Sequence, residues 1–274
     1  MTDIIALNKQ MDTMNRHLSN ISNVISNLYN ILNVTNNPVY KTLLTYLVPK
    51  SVNGYKYVRL GKNNDGGYVL VGDFSDITNA ISLGINNDVS FDLDLAARKI
   101  TVYQFDPTID RTPIDNSLFK FYKIGVKGSS IFHPINSSYD YLTLDEIQKK
   151  FLSNDVNILL KMDIEGYEYE ALLDENLSFD RFKHIVLEIH HLLDPLHACL
   201  FLKILRKLCK THQLIYIHPN NWSPFVVVNN QCICNVYELS FVRQDNYVFV
   251  DYDVSANNLG MPNNTKKNDI FLVH

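Results

Sequence analysis

Lys161, Asp163, Glu165 and Glu168 crowd one short stretch, Leu-Leu-Lys-Met-Asp-Ile-Glu-Gly-Tyr-Glu from Leu159 to Glu168, with Gly166 free to make a turn. The residues before it are apolar and strand-like, and Glu168 to Leu173 reads as a helix start. Acids and a lysine gathered where a buried strand gives way to a helix suit proton transfer or cation binding, because ligands of open α/β sheets lie beyond the carboxyl ends of the strands. The bland alternative is a solvated loop whose acids favour the positive end of a helix. A second group of the same kind, Glu188, His190 and His191, follows the apolar run that begins at His184. A third, His218 with Asn220, Asn221 and Trp222, follows the run Leu214 to Ile217.

These groups need a scaffold, and the chain alternates strand-like and helix-like segments as a doubly wound, mostly parallel sheet requires. Strands are expected at Ala80 to Leu83, Ile100 to Phe105, Val156 to Met162, His184 to Ile189 and Leu214 to Ile217. Helices are expected at Tyr40 to Leu47, Asp92 to Arg98, Leu142 to Phe151, Glu168 to Leu173 and Pro195 to Cys209. Thr143 and Glu146 have the spacing of a capping box. Glu238 to Val242 and Tyr247 to Val250 read as a terminal antiparallel pair.

Ahead of this body, Ile4, Leu7, Met11, Met14, Leu18, Ile21, Ile25, Leu28 and Leu32 alternate three and four apart, an a/d heptad seam. The regular 3.5 period predicts a coiled coil over residues 1–34 that makes the chain a homo-oligomer, against the alternative of a helix lying on its own domain. Isoleucine at both a and d positions leans away from a strict dimer. Pro38 ends the helix, residues 35–57 form a connecting helical segment, and 58–274 form the catalytic body.

Composition excludes several classes. A chain of 274 residues with 46% hydrophobic content buries one substantial core, and a net charge of −4 is no footprint of a nucleic-acid binder. No apolar run is long enough for a membrane-spanning helix, and the amino terminus lacks a signal-peptide pattern. Cys199, Cys209, Cys232 and Cys234 lack zinc-site spacing and read as idle thiols in a reducing cytoplasm.

Ser82-Leu-Gly-Ile-Asn-Asn-Asp88 follows one strand and opens a helix with a single glycine, so it is not the dinucleotide fingerprint. Asp106 closes the next strand about 20 residues after Gly84, where an acid binds ribose hydroxyls. That combination suits S-adenosylmethionine better than NAD. The blocks Arg59 to Val69, Ser82 to Leu95, Val102 to Thr108, Leu160 to Glu168 and Leu187 to His190 together resemble the FkbM-like methyltransferases. The resemblance implies a Rossmann-like, seven-stranded class I methyltransferase fold and methyl transfer from S-adenosylmethionine, commonly to a hydroxyl. It also implies that Gly84, Asn86, Asp88 and Phe91 surround the cofactor and that Asp106 holds its ribose. Asp65, Gly66, Gly67 and Tyr68 would close over it or approach the substrate, although Gly66-Gly67 also reads as a plain turn.

Methyl transfer to a hydroxyl needs alignment and a proton acceptor. His190 leads as base because imidazole titrates near neutral pH, with Asp163, Glu165 and Lys161 beside it. Alternatively Asp163, Glu188 and His218 bind Mg²⁺ or Mn²⁺, which acidifies the hydroxyl. The reading is an S-adenosylmethionine-dependent O-methyltransferase of a sugar in a surface glycan or glycolipid. The alternatives are a small-metabolite or protein side-chain acceptor, and a non-catalytic adapter assembled by the coiled coil.

Overall fold

The computed structural model describes residues 2–129, 138–228, 231–245, 247–270 and 272, and leaves aside the side chains of 2–10 and 13. Seven strands form the central sheet: β1 (Asn79–Leu83), β2 (Thr101–Phe105), β3 (Phe119–Tyr122), β4 (Ile158–Met162), β5 (Phe182–Ile189), β6 (His212–Pro219) and β7 (Tyr237–Arg243). Their order across the sheet is β6-β7-β5-β4-β1-β2-β3. The strands from β3 to β5 are parallel to their neighbours, and β7 runs antiparallel between β5 and β6. Every residue of β4 and β5 is buried, which explains why both read as continuous apolar runs.

The expected strands are all present, and the sequence reading missed β3. The terminal pair needs correction. Tyr237–Arg243 does not pair with the segment after it; it enters the main sheet as β7, while Phe249–Asp251 pairs with Lys50–Val52. The burial of β7 explains this, because six of its seven residues are buried between two flanking strands and the residues packed on the sheet's faces.

Helix α1 runs from Thr2 to Asn36 and α2 from Pro38 to Tyr46, with Asn37 capping α2 by accepting from Val39 N and Pro38 in its first turn. The connecting segment 35–57 is helical only as far as Tyr46, since Lys50–Val52 is a strand, and α2 packs on the body: Tyr40 and Leu43 are buried with Val34 and Leu47 in the main core, and Tyr40 Oη donates to Leu193 O at 2.9 Å. The remaining helices are α3 (Ser90–Ala97), α4 (Leu144–Phe151), α5 (Glu168–Leu172) and α6 (Pro195–Leu208). Both halves of the Thr143–Glu146 capping box form at the start of α4. From Met11 to Leu32 the seam residues of α1 each expose 55–64% of their surface. The side chains of Ile4 and Leu7 lie outside the described residues. Among the described residues, no helix is long and apolar enough to cross a membrane.

Candidate active site

The parallel strands β1, β2 and β4 end side by side, and a cavity of about 670 Å³ opens above them. Gly84 closes β1 at φ 76°, and a Cβ there would lie 1.7 Å from the Asp163 carbonyl oxygen, so no side chain fits where the two strand ends meet. Asp106, at the end of β2, fastens the turn that follows. Its Oδ2 accepts from Ile85 N (2.9 Å) and Asn86 N (2.8 Å), and its Oδ1 accepts from Thr108 N (2.8 Å) and Thr108 Oγ1 (2.5 Å). Burial works against the charge, but these bonds outweigh it and hold the carboxyl below its usual range. Gly84, Asn86, Asp88, Phe91 and Asp106 all line the cavity, as do Asp65 and Gly66. Gly67 and Tyr68 sit behind its wall: Gly67 packs against the Arg59 guanidinium, and Tyr68 is fully buried against Phe91.

Lys161, Asp163 and Glu165 line the same cavity, next to the Gly84 turn. Lys161 is buried, with Nζ donating to Gly84 O (2.7 Å) and lying 3.6 Å from Asp163 Oδ2. It therefore ties the glycine turn to the acid. Glu165 takes a left-handed φ of 56° and Gly166 one of 105°, which turns the chain back sharply after Asp163. Glu168 holds that turn from beneath, with Oε1 accepting from Ile164 N and Oε2 from Gly166 N, both at 2.9 Å.

The same Glu168 carboxylate lies 3.2 Å from His190 Nδ1. The other ring nitrogen, Nε2, faces Glu165 (3.5 Å), Glu188 (3.7 Å) and Asp163 (4.0 Å). Burial lowers the affinity of this ring for a proton, but the bond to Glu168 and the charges of Glu168, Glu188 and Asp163 overcome it and raise His190 to about 9. The sequence placed this imidazole near neutral pH; its neighbours make it a cation there. Strand alternation does put Glu188 and His190 together, and His191, at φ 63°, turns toward Gly166 and His197. Tyr68 links the acids from below, its hydroxyl 3.2 Å from Asp163 Oδ2 and 3.4 Å from Glu188 Oε2.

The acids continue across the sheet. Register pairs Glu188 with Glu238, and Glu238 with His218, so all three lie in one row on one face. His218 stands between Glu238 (Nδ1, 3.3 Å) and Asp269 (Nε2, 3.1 Å); burial opposes its charge, yet those bonds raise it to about 9. Asn220 donates to Glu188 (2.9 Å), and Asn221 is spent on the backbone carbonyls of Asn264, Lys267 and Asn268. The indole of Trp222 is exposed. The set Asp163, Glu188 and His218 is thus divided. Asp163 groups with Glu165 and His190, while Glu188 groups with Asp65 and Glu238. Sequence reasoning counted Glu168 in the charged cluster without giving it a role of its own, and gave Glu238 none. The position of Glu168 just after the Gly166 turn was a usable signal, whereas Glu238 needed the register of β7.

A seven-stranded mixed sheet with flanking helices and a cavity at its carboxyl edge is consistent with an α/β methyltransferase fold. The family model for the Methyltransferase FkbM domain matches residues 74–212, and the chain belongs to that family of methyltransferases. No curated protein matches the chain. The match takes in Gly84, Asp106, Asp163, Glu168 and His190, and leaves Asp65, Tyr68, His218 and Glu238 outside it.

Proposed function

We propose that the chain transfers a methyl group from S-adenosylmethionine to a hydroxyl of a sugar in a surface polysaccharide or glycolipid. The observation that carries this is one cavity whose lining brings together the Gly84 turn, Asp106, Asp163 and Glu165, with His190 within 4.0 Å of the last two. Its volume, about 670 Å³, suits a ligand of this size, and the acids in its lining suit a cationic sulfonium. Gly84, Asn86, Asp88 and Phe91 would hold the cofactor around the turn that Asp106 fixes. The cofactor, when bound, supplies an electrophilic methyl group.

The chain's own residues orient the acceptor and take its proton. Asp163 and Glu165 offer acceptors for the hydroxyl, and Lys161 keeps Asp163 against the glycine turn. Glu168 fixes the His190 ring so that Nε2 faces those acids, and the neutral ring accepts the proton at Nε2. A sugar acceptor draws support from the exposed Trp222 indole beside Asn220 and from the net charge of −4, which disfavours a nucleic acid. The exposed seam of α1 supports self-association, because a helix lying on its own domain would cover those side chains.

Calorimetry with S-adenosylmethionine, followed by transfer of labelled methyl to a panel of sugars, tests the reaction. A folded chain that binds no cofactor ends this reading. Light scattering on the full chain tests the assembly: Ile21→Glu with Leu28→Glu is expected to yield monomers from oligomers, and an unchanged mass would refute the seam.

A further inference from the structure

We propose that Cys232 and Cys234 are a reversible redox pair: a peroxide joins them as a disulfide, and the bond loosens the turn that follows His190. The two thiols sit two residues apart on Gln231–Cys234, which pairs with Phe225–Val228 as an antiparallel hairpin, and their Sγ atoms lie 3.6 Å from each other. Residues two apart on a strand share a face, and register sets Cys232 opposite Val227 and Cys234 opposite Phe225, both exposed. A reagent therefore reaches Cys232, which is half-buried, while Cys234 is fully buried beside it. Contact with Cys234 draws the Cys232 thiol below its ordinary value against the effect of burial; the same contact, together with burial, raises Cys234. Cys232 is thus the attacking sulfur and Cys234 the one that resolves. Attack of the Cys232 sulfur on the peroxide breaks the O–O bond and gives a sulfenic acid and water. The Cys234 sulfur then displaces the hydroxyl, which leaves with the Cys234 proton, so two thiols and one hydrogen peroxide become a disulfide and two waters. A dithiol reductant reverses the step by exchange.

Closure must move the backbone. On a strand rising about 3.3 Å per residue, Cα atoms two apart sit about 6.6 Å from each other, near the top of the roughly 4.4–6.8 Å that a disulfide spans. The strand therefore contracts between Cys232 and Cys234 as the bond forms. Tyr237 bridges that same segment, its fully buried hydroxyl accepting from Cys234 N (3.0 Å) and donating to Cys232 O (3.2 Å). Asn235, the next residue, clamps the chain after His190: its carbonyl accepts from Leu192 N (2.9 Å) and its Oδ1 from Leu193 N (3.1 Å). Contraction beside Asn235 pulls on these two bonds, and with them on the chain that leaves His190 and His191. The ring closes over only Cys232 to Cys234, so it removes little freedom from the unfolded chain and adds little stability. Such a bond is a switch and not a staple.

The test treats the full chain with hydrogen peroxide, alkylates it and maps its peptides by mass without reduction. The peptide that holds Cys232 and Cys234 is expected to lose two hydrogens and take up no alkylating reagent, and dithiothreitol should restore both thiols. Hydrogen exchange over Leu192 and Leu193 should quicken by about tenfold on oxidation, the effect of losing one ordinary hydrogen bond at its stronger end, and slow again on reduction. Cys232→Ser should show neither change. In Cys234→Ser, oxidation should stop at a sulfenic acid on Cys232 that a dimedone probe traps. If that variant fails to fold, Cys232→Ser, at a half-buried position, decides. Cys199→Ser combined with Cys209→Ser should keep both changes. A folded wild-type chain that forms no Cys232–Cys234 bond under peroxide overturns the inference. So does a bond that leaves exchange at Leu192 and Leu193 unchanged, or a quickening that persists in Cys232→Ser. Neither readout depends on methyl transfer, so a failure here leaves the proposed reaction standing.

Discussion

Replacing Glu168 with alanine should cost the fold far more than an ordinary change of one carboxylate. The side chain is fully buried, and its two oxygens receive the backbone N–H groups of Ile164 and Gly166 as well as facing His190 Nδ1. A hydrogen bond to a charged group contributes about 1.5–3 kcal/mol, so the two backbone bonds alone amount to about 3–6 kcal/mol. That is a large share of the 5–15 kcal/mol typical of a folded domain. Glu168→Gln separates charge from shape: its single oxygen can serve one backbone donor, while its NH₂ meets the other, so about half the loss is expected. Urea unfolding followed by two spectroscopic probes measures both, with Glu175→Ala on the exposed surface as the control. Equal midpoints for Glu168→Ala and Glu175→Ala would refute the claim that Glu168 holds the turn.

His184 and His212 should make the fold acid-sensitive. Burial, the largest cause, pushes both down to about 4, and each places Nε2 against a backbone carbonyl, Asp73 O and Phe182 O respectively. The unfolded chain protonates them near 6.5 while the folded chain does not, so stability is full above about pH 6.5 and declines as pH falls toward 4. At pH 5 the loss is about 2 kcal/mol for each ring, and equal urea midpoints at pH 7 and pH 5 would exclude it. For His190 the shift has the opposite sign. Its neutral form appears only as pH rises through about 9, so the methyl-transfer rate of chelator-treated protein should climb toward that pH. A rate that levels off near 6.5 would remove His190 as the base. His190→Ala should lower turnover about 10²-fold or more while cofactor affinity is kept, and calorimetry with an activity assay checks both halves.

The parts of the molecule that were legible in the sequence are those fixed by near neighbours in the chain. The Thr143–Glu146 cap, the helical period of α1 and the glycine turn after β1 are all local, and the structure contains the cap, the helix and the turn. Strand alternation likewise paired Glu188 with His190 before any coordinates. What escaped depends on partners far along the chain. Tyr237–Arg243 looks like half of a hairpin until its buried face is seen between β5 and β6, and only that insertion brings Glu238 against Glu188 and His218. The charge of His190 is set by Glu168 on another element, and spacing alone does not report their 3.2 Å separation. Asp106 was expected to serve a ligand, and the structure shows it bonded to the backbone of Ile85, Asn86 and Thr108.

Helix α1 has 35 residues, a rod about 50 Å long at 1.5 Å per residue, and its last turn is pinned to the body where Val34 enters the core. In a bundle of such rods the bodies are tethered to one another instead of diffusing singly. In the proposed assembly a repeating polymer that slips out of one cavity would still be held by a sister cavity, and recapture would compete against escape. If the proposed coiled coil and glycan acceptor hold, such a tether would make the enzyme processive on long acceptors and ordinary on short ones.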